Sequence, residues 1–235
     1  MALNVSLINQ NELTPNQYFK EDCSSIKKQI VIHFTAGAPS AKNTIHGWQF
    51  NPERVGTPFV ISRGYSNPIE KDGEIFQAFG SKYWAYHLGF SKNTNKVPSK
   101  YHNFALETQR AKETIPIEIC NWGCLIKDKV GDFKNYVNGV VSSNEVVTLN
   151  KPHRGYIYYQ DFTDSQIFSL KELIIYLCDK YKISKKYNND MWDISTRALD
   201  GENGIFGHVS FRSDKFDLAP LPKVIKMLQE IEQGI

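Results

Sequence analysis

Two histidines far apart in the chain, His33 and His208, and an aspartate nine residues after the second (217 − 208), Asp217, are the residues whose types and settings could do chemistry together. Two imidazoles and a carboxylate fill three corners of a zinc tetrahedron and leave the fourth open for water, as in a catalytic rather than a structural zinc site. His33 ends the apolar run Ile30-Val31-Ile32 and meets the turn Thr35-Ala36-Gly37. His208 follows Gly207 and precedes Lys215-Phe216-Asp217. Glu118 stands isolated inside an apolar strand. The set reads as a zinc hydrolase.

Each residue also has a plainer reading. Asp214 competes with Asp217 for the third ligand position. Glu118 alternates with Ile115, Ile117 and Ile119 and so points to the other face of its strand. That face is either solvent or a cleft in which the carboxylate takes a proton from water. Lys215 either stabilises a developing oxyanion or lies on the surface. His87, set among Tyr86, Leu88 and Gly89, suits substrate contact and packing equally. His46, in a predicted helix, and His102 and His153, in polar loops, read as structural.

The elements that must position these groups are a mixture of strands and helices. Strands are expected at Gln29–His33, Thr57–Ser62, Glu74–Phe79 and Thr114–Cys120, from their β-branched and alternating content. Asp72-Gly73 reads as a hairpin turn. A helix is expected from Ser40 to about Phe50 with Ser40 as its N-cap. Residues 83–89 and 91–113 read as loops. Thr163 to Gln166 is a capping-box pattern, and Ile167, Leu170, Leu173, Ile174, Leu177 and Tyr181 follow at helical spacing. Pro222–Ile231 is a short amphipathic helix. The pattern predicts an α/β (α+β) fold, a central mixed sheet flanked by helices. Residues 1–28 read as an N-terminal arm, and 29–235 as a single domain with an inserted lobe at about 121–160. No second, separate binding module is visible.

Composition sets the outer bounds. The hydrophobic fraction of 41% supplies a core, and aromatics at 13% supply both core and groove walls. A formal charge of +3 without an arginine-rich run argues against a nucleic-acid partner. Four cysteines at this length are not a disulfide scaffold, and Cys120 and Cys124 read as thiols beside a strand end. No apolar run is long enough to span a bilayer, and the first ten residues lack a secretory pattern. A cytoplasmic monomer, awaiting release to its target, is the expectation.

Five segments, in order, carry a resemblance. Ile32-His33-Phe34-Thr35-Ala36, Phe59-Val60-Ile61 with Asp72-Gly73-Glu74-Ile75-Phe76, Tyr86-His87-Leu88-Gly89, Ile115-Pro116-Ile117-Glu118-Ile119, and Gly207-His208 with Lys215-Phe216-Asp217 together resemble the type-2 N-acetylmuramoyl-L-alanine amidases, relatives of the peptidoglycan recognition proteins and phage lysis amidases. The resemblance implies a peptidoglycan-recognition/amidase-like fold and Zn2+ held by His33, His208 and Asp217. It also implies Glu118 as general base and Lys215 as oxyanion stabiliser. The substrate would be the muramyl stem peptide of peptidoglycan, with His87, Trp84, Tyr86 and Thr35 as candidate substrate contacts. The closing loop departs from the family pattern, with Val209-Ser210-Phe211-Arg212 where an Asp and a Pro usually stand. The rival expectation is a non-catalytic peptidoglycan-binding module on the same fold, distinguished by its metal content.

Overall fold

Among the described residues six strands make the main sheet: β1 (Ile8–Gln10), β2 (Gln29–Phe34), β3 (Phe59–Ser66), β4 (Ile69–Gln77), β5 (Thr114–Ile119) and β11 (Gly204–Gly207), in the order β1-β4-β3-β5-β2-β11. The computed structural model describes residues 8–10, 13–37, 39–92 and 94–235. Only β3 and β4 pair antiparallel; the other four pairings are parallel. The expected mixed sheet is therefore observed, with its predicted strands β2, β3, β4 and β5 in place.

Strand alternation gives the sheet two covered faces. On one face Phe59, Ile61, Ile75 and Ile117 pack against Leu170, Leu173, Ile174 and Leu177 of α3 (Asp164–Tyr181), and α5 (Pro222–Gln233) adds Val224, Leu228 and Ile231. On the other, Val60 and Phe76 meet Ile45 of α1 (Ala41–Trp48) together with Leu13 and Tyr18. Leu13 and Tyr18, with Cys23, bury part of the stretch 13–28, while residues 1–7, 11 and 12 of the expected arm lie outside the described residues.

The helix signals act as the sequence suggests. Ser40 caps α1 by accepting from Asn43 N, and Thr163 and Gln166 close a reciprocal capping box on α3.

Two expectations need correction. The β3–β4 turn falls at Asn67-Pro68, and Asp72-Gly73 lies inside β4. There Gly73 adopts φ +77, and a Cβ would stand 2.6 Å from Ser165 O, so the glycine serves a close approach to the first turn of α3. The stretch 91–113 contains a helix, α2 (Phe104–Glu113), capped by Asn103 through Ala105 N and Leu106 N. Its buried residues are Glu107, Arg110, Ala111 and Glu113, so charge pairing on the inward face hid the apolar period.

Residues 124–160 form a second sheet of β6 (Cys124–Lys127), β7 (Phe133–Lys134), β8 (Val140–Val141), β9 (Val146–His153) and β10 (Tyr156–Gln160), ordered β8-β7-β6-β10-β9 and wholly antiparallel. Between it and α5, α4 (Thr196–Leu199) leads into β11. Among the described residues no helix is long and apolar enough to cross a membrane.

Candidate metal centre

Strand register builds the first half of the site. His33 on β2 pairs with Glu118 on β5, and Glu118 pairs in turn with Val60 on β3, so the imidazole and the carboxylate emerge side by side on the α1 face of the sheet. The second half comes from the loop after β11. Val209 N donates to Asp217 O at 2.8 Å, closing the loop so that His208 and Asp217 face each other.

One oxygen joins the three candidate ligands. Asp217 Oδ2 lies 3.0 Å from His33 Nδ1 and 3.0 Å from His208 Nδ1. The donor atoms all fall within 4.8 Å of one another. All three residues are buried. Tetrahedral zinc with bonds of ~2 Å sets its ligands about 3.3 Å apart, so the cluster is close to that size.

The outer hydrogen bonds dictate the tautomers. Leu88 O can only accept, so His208 Nε2, 2.9 Å away, carries the proton and Nδ1 presents its lone pair. Thr114 Oγ1 donates to Ala111 O at 3.2 Å, and therefore accepts from His87 Nε2 at 2.7 Å. His87 Nδ1 is then unprotonated and accepts from His33 Nε2 at 3.1 Å. His33 Nδ1 is left with its lone pair facing Asp217. Two imidazole lone pairs and a carboxylate oxygen thus converge on one point that calls for a cation, and each histidine is oriented through its other nitrogen, as metal-bound histidines are.

The charged forms of these groups act strongly on one another. Burial, with the charge of His208 adding to it, pushes His33 down to about 4 against the opposing pull of Asp217. Burial would raise Asp217, but His208 and His33 outweigh it and hold the carboxyl below its ordinary range. Burial, and then the charge of Asp217, drives Glu118 well above the usual carboxylate range, with Lys215 opposing. Glu118 Oε2 is enclosed and has no hydrogen-bond partner. A buried orphan acceptor beside the cluster is placed to take a proton.

Two cavities meet at the cluster. One of about 380 Å³ is walled by His33, Thr35, Glu118, Lys215 and Asp217, and one of about 520 Å³ by Arg54, Tyr86, Phe104 and Lys215. His87 and His208 line both. Lys215 lines both cavities, Thr35 the smaller one and Tyr86 the larger. His87 props His33 as well as lining the walls. Trp84 lines neither cavity: it is 5% exposed, stacks on Phe19 at 3.9 Å and donates to Glu21. Asp214, the rival ligand, is paired with Arg212 at 2.7 and 3.0 Å. Sequence reasoning missed Thr114 and the Leu88 carbonyl, whose roles have no local signature.

A mixed sheet carrying a buried His-His-Asp cluster that could hold a metal ion, an orphan glutamate and a lysine in an open cleft brings together groups suited to hydrolysis. Residues 24–220 match the N-acetylmuramoyl-L-alanine amidase family, and the chain belongs to that family: it is a hydrolytic amidase that acts on peptidoglycan. Among solved structures, a mutant of PlyL is similar in fold, at 14% identity and TM-score 0.50, covering 97% of this chain and 99% of that one. The PlyG catalytic domain aligns at 16% identity and TM-score 0.49, covering 97% and 94%. The endolysin N-acetylmuramoyl-L-alanine amidase LysCS from Clostridium intestinale URNW aligns at 15% and 0.45, covering 97% and 93%. No curated protein matches the chain.

Proposed function

We propose that this amidase is zinc-dependent and cleaves the amide between the lactyl group of N-acetylmuramic acid and the L-alanine of the stem peptide. The observation that carries the reading is the approach of His33 Nδ1 and His208 Nδ1 to Asp217 Oδ2, each at 3.0 Å. His33, His208 and Asp217 would hold the ion. Zinc bound by such a set lowers the pKa of a coordinated water toward neutrality and polarises the scissile carbonyl.

The chain's own groups supply the rest. Glu118, unpartnered at Oε2, accepts the proton of the attacking water and returns it to the departing amine of L-alanine. Lys215, on the wall of both cavities, places its ammonium near the carbonyl oxygen as negative charge develops there. Tyr86 and Thr35 contact the substrate from the two cavity walls. The domain of residues 29–235, with its lobe at about 121–160, also takes in β1 and the buried residues Leu13, Tyr18 and Cys23, and the enzyme acts as a monomer. Its biological role is that of a phage endolysin, held in the cytoplasm until released onto the wall; this reading rests on the family's chemistry.

Digestion of purified peptidoglycan, with products read by mass spectrometry, tests the proposal. Free stem peptides beginning at L-alanine, lost with chelator and restored by zinc, are expected. Wall binding without cleavage in the presence of zinc would favour a recognition module instead. Clearing of permeabilised host cells tests the endolysin role.

A further inference from the structure

The second sheet is attached to the site through one hairpin. β9 and β10 are joined by Arg154-Gly155, since His153 pairs directly with Tyr156. Both turn residues have positive φ, 52 for Arg154 and 87 for Gly155. A two-residue turn of that kind favours Asn, Asp or Gly at its first position, and an arginine there adopts a backbone conformation that L side chains avoid. Strain of this sort persists where the surroundings use the side chain.

The Arg154 side chain is used on the ligand loop. Its Nη1 donates to Ser213 O at 2.7 Å, and its Nη2 donates to Asp193 Oδ1 at 2.6 Å and Val209 O at 3.3 Å. The side chain is only 16% exposed. Val209 adjoins His208, and Ser213 precedes Lys215 by two positions. From the same hairpin, Tyr156 sets its ring edge-on to Phe216 at 5.4 Å and 88°, between Lys215 and Asp217 in sequence. The loop is also tied on its other sides, by Ser213 N to Lys96 O and by Ser195 N to Ser210 O. The hairpin is the element that grips both of its ends.

We propose that the inserted sheet is a clamp on the catalytic loop, with Arg154 and Tyr156 as positioning residues that hold His208, Lys215 and Asp217 in register with His33 and Glu118. The inference rests on the roles proposed above for those residues. Groups in the shell around metal ligands act by fixing their orientation, so loss of the clamp weakens the site without emptying the fold.

The variants Arg154→Gly, Arg154→Lys and Tyr156→Leu test it against the wild type. Three readouts are taken: amide exchange over 208–217 in zinc-free protein, zinc affinity by chelator competition, and kcat and KM on a soluble muramoyl-peptide. Arg154→Gly relieves the turn, so its melting temperature is expected to hold or rise. Loop exchange should quicken, zinc affinity and kcat should each fall about tenfold or more, and KM should change by less than about twofold. Arg154→Lys should recover part of the loss, because it keeps a cationic donor. Unchanged loop exchange, or zinc affinity and kcat within about twofold of wild type, would overturn the clamp. A lowered melting temperature with both constants unchanged would overturn it too. If Arg154→Gly does not fold, Tyr156→Leu tests the same grip at Phe216. A wild-type protein that binds no zinc would defeat the ligand assignment, while exchange and kcat would still decide the clamp.

Discussion

Asp217 Oδ2 is shared equally by His33 and His208, 3.0 Å from Nδ1 of each. In its neutral form neither histidine donates there, because each spends its single proton on an outward partner. The carboxylate charge is therefore what makes the cluster attractive to a cation. Asp217→Asn keeps the shape and removes the charge. Zinc affinity is expected to fall at least about tenfold, as read by competition with a chelator. Asp214→Asn, which breaks only the pair with Arg212, should leave affinity unchanged. A zinc loss in the Asp214 variant equal to that in the Asp217 variant would show the third ligand to be misassigned.

Glu118→Gln separates proton transfer from binding. Glutamine fills the same space and carries no charge, so it escapes the burial that pushes the carboxyl up. Zinc content and melting temperature should be retained, while kcat falls by about 10²–10⁴-fold. Turnover near the wild-type rate would remove Glu118 from the general-base role.

The legible part of this site was local in origin. A β-branched run ending in His33 and an acid alternating with isoleucines at Glu118 both mark strand positions. Their adjacency was not legible, because it depends on β2 and β5 pairing in parallel register across an intervening 80-odd residues. The helix α2 was hidden for the opposite reason: of its buried positions, Glu107 accepts from Gly89 N and Ser91 N, while Arg110 pairs with Glu113 and donates to the Leu199 carbonyl, so no apolar stripe shows. Trp84 looked like a groove residue by type, yet its ring is spent on Phe19. The outward partners of the histidines, Thr114 and the carbonyl of Leu88, are ordinary residues made important by geometry alone.

That geometry can be tested at its far end. Thr114 Oγ1 is the acceptor that makes His87 Nε2 the protonated nitrogen, and so directs the proton of His33 outward. Thr114→Val leaves His87 without that acceptor and permits the other tautomer. His33 would then have to accept at Nε2 and carry its proton at Nδ1, where the metal should sit. A loss of zinc affinity of about tenfold is expected, with recovery in Thr114→Ser, which restores the hydroxyl. Equal affinities in all three proteins would show that the tautomers are set by something else. His87→Ala should show the same loss in affinity; a rise in KM alone would return His87 to substrate contact.

Lys27, the buried cation behind Thr114, provides a pH signature of its own. Its ammonium lies buried, donating to Thr114 O at 2.7 Å and Tyr83 O at 3.1 Å, and burial pushes its pKa down to about 8. In the unfolded chain a lysine titrates near ~10.4. Between these values the unfolded state holds a proton that the folded state has released, so stability rises with pH across the window and the gain is lost as pH falls through about 8. A displacement of this size corresponds to at most about 3 kcal/mol. Both carbonyls remain satisfied above the window, since the neutral amine keeps two donors. Lys27→Met removes the titration and the donor to both carbonyls. Denaturant unfolding at pH 7.5 and pH 10, wild type against variant, cancels the titrating groups that do not couple to Lys27 and leaves Lys27 with its neighbour Cys23. The wild type should gain stability relative to Lys27→Met at the higher pH, and parallel behaviour of the two would mean that Lys27 stays charged within the fold.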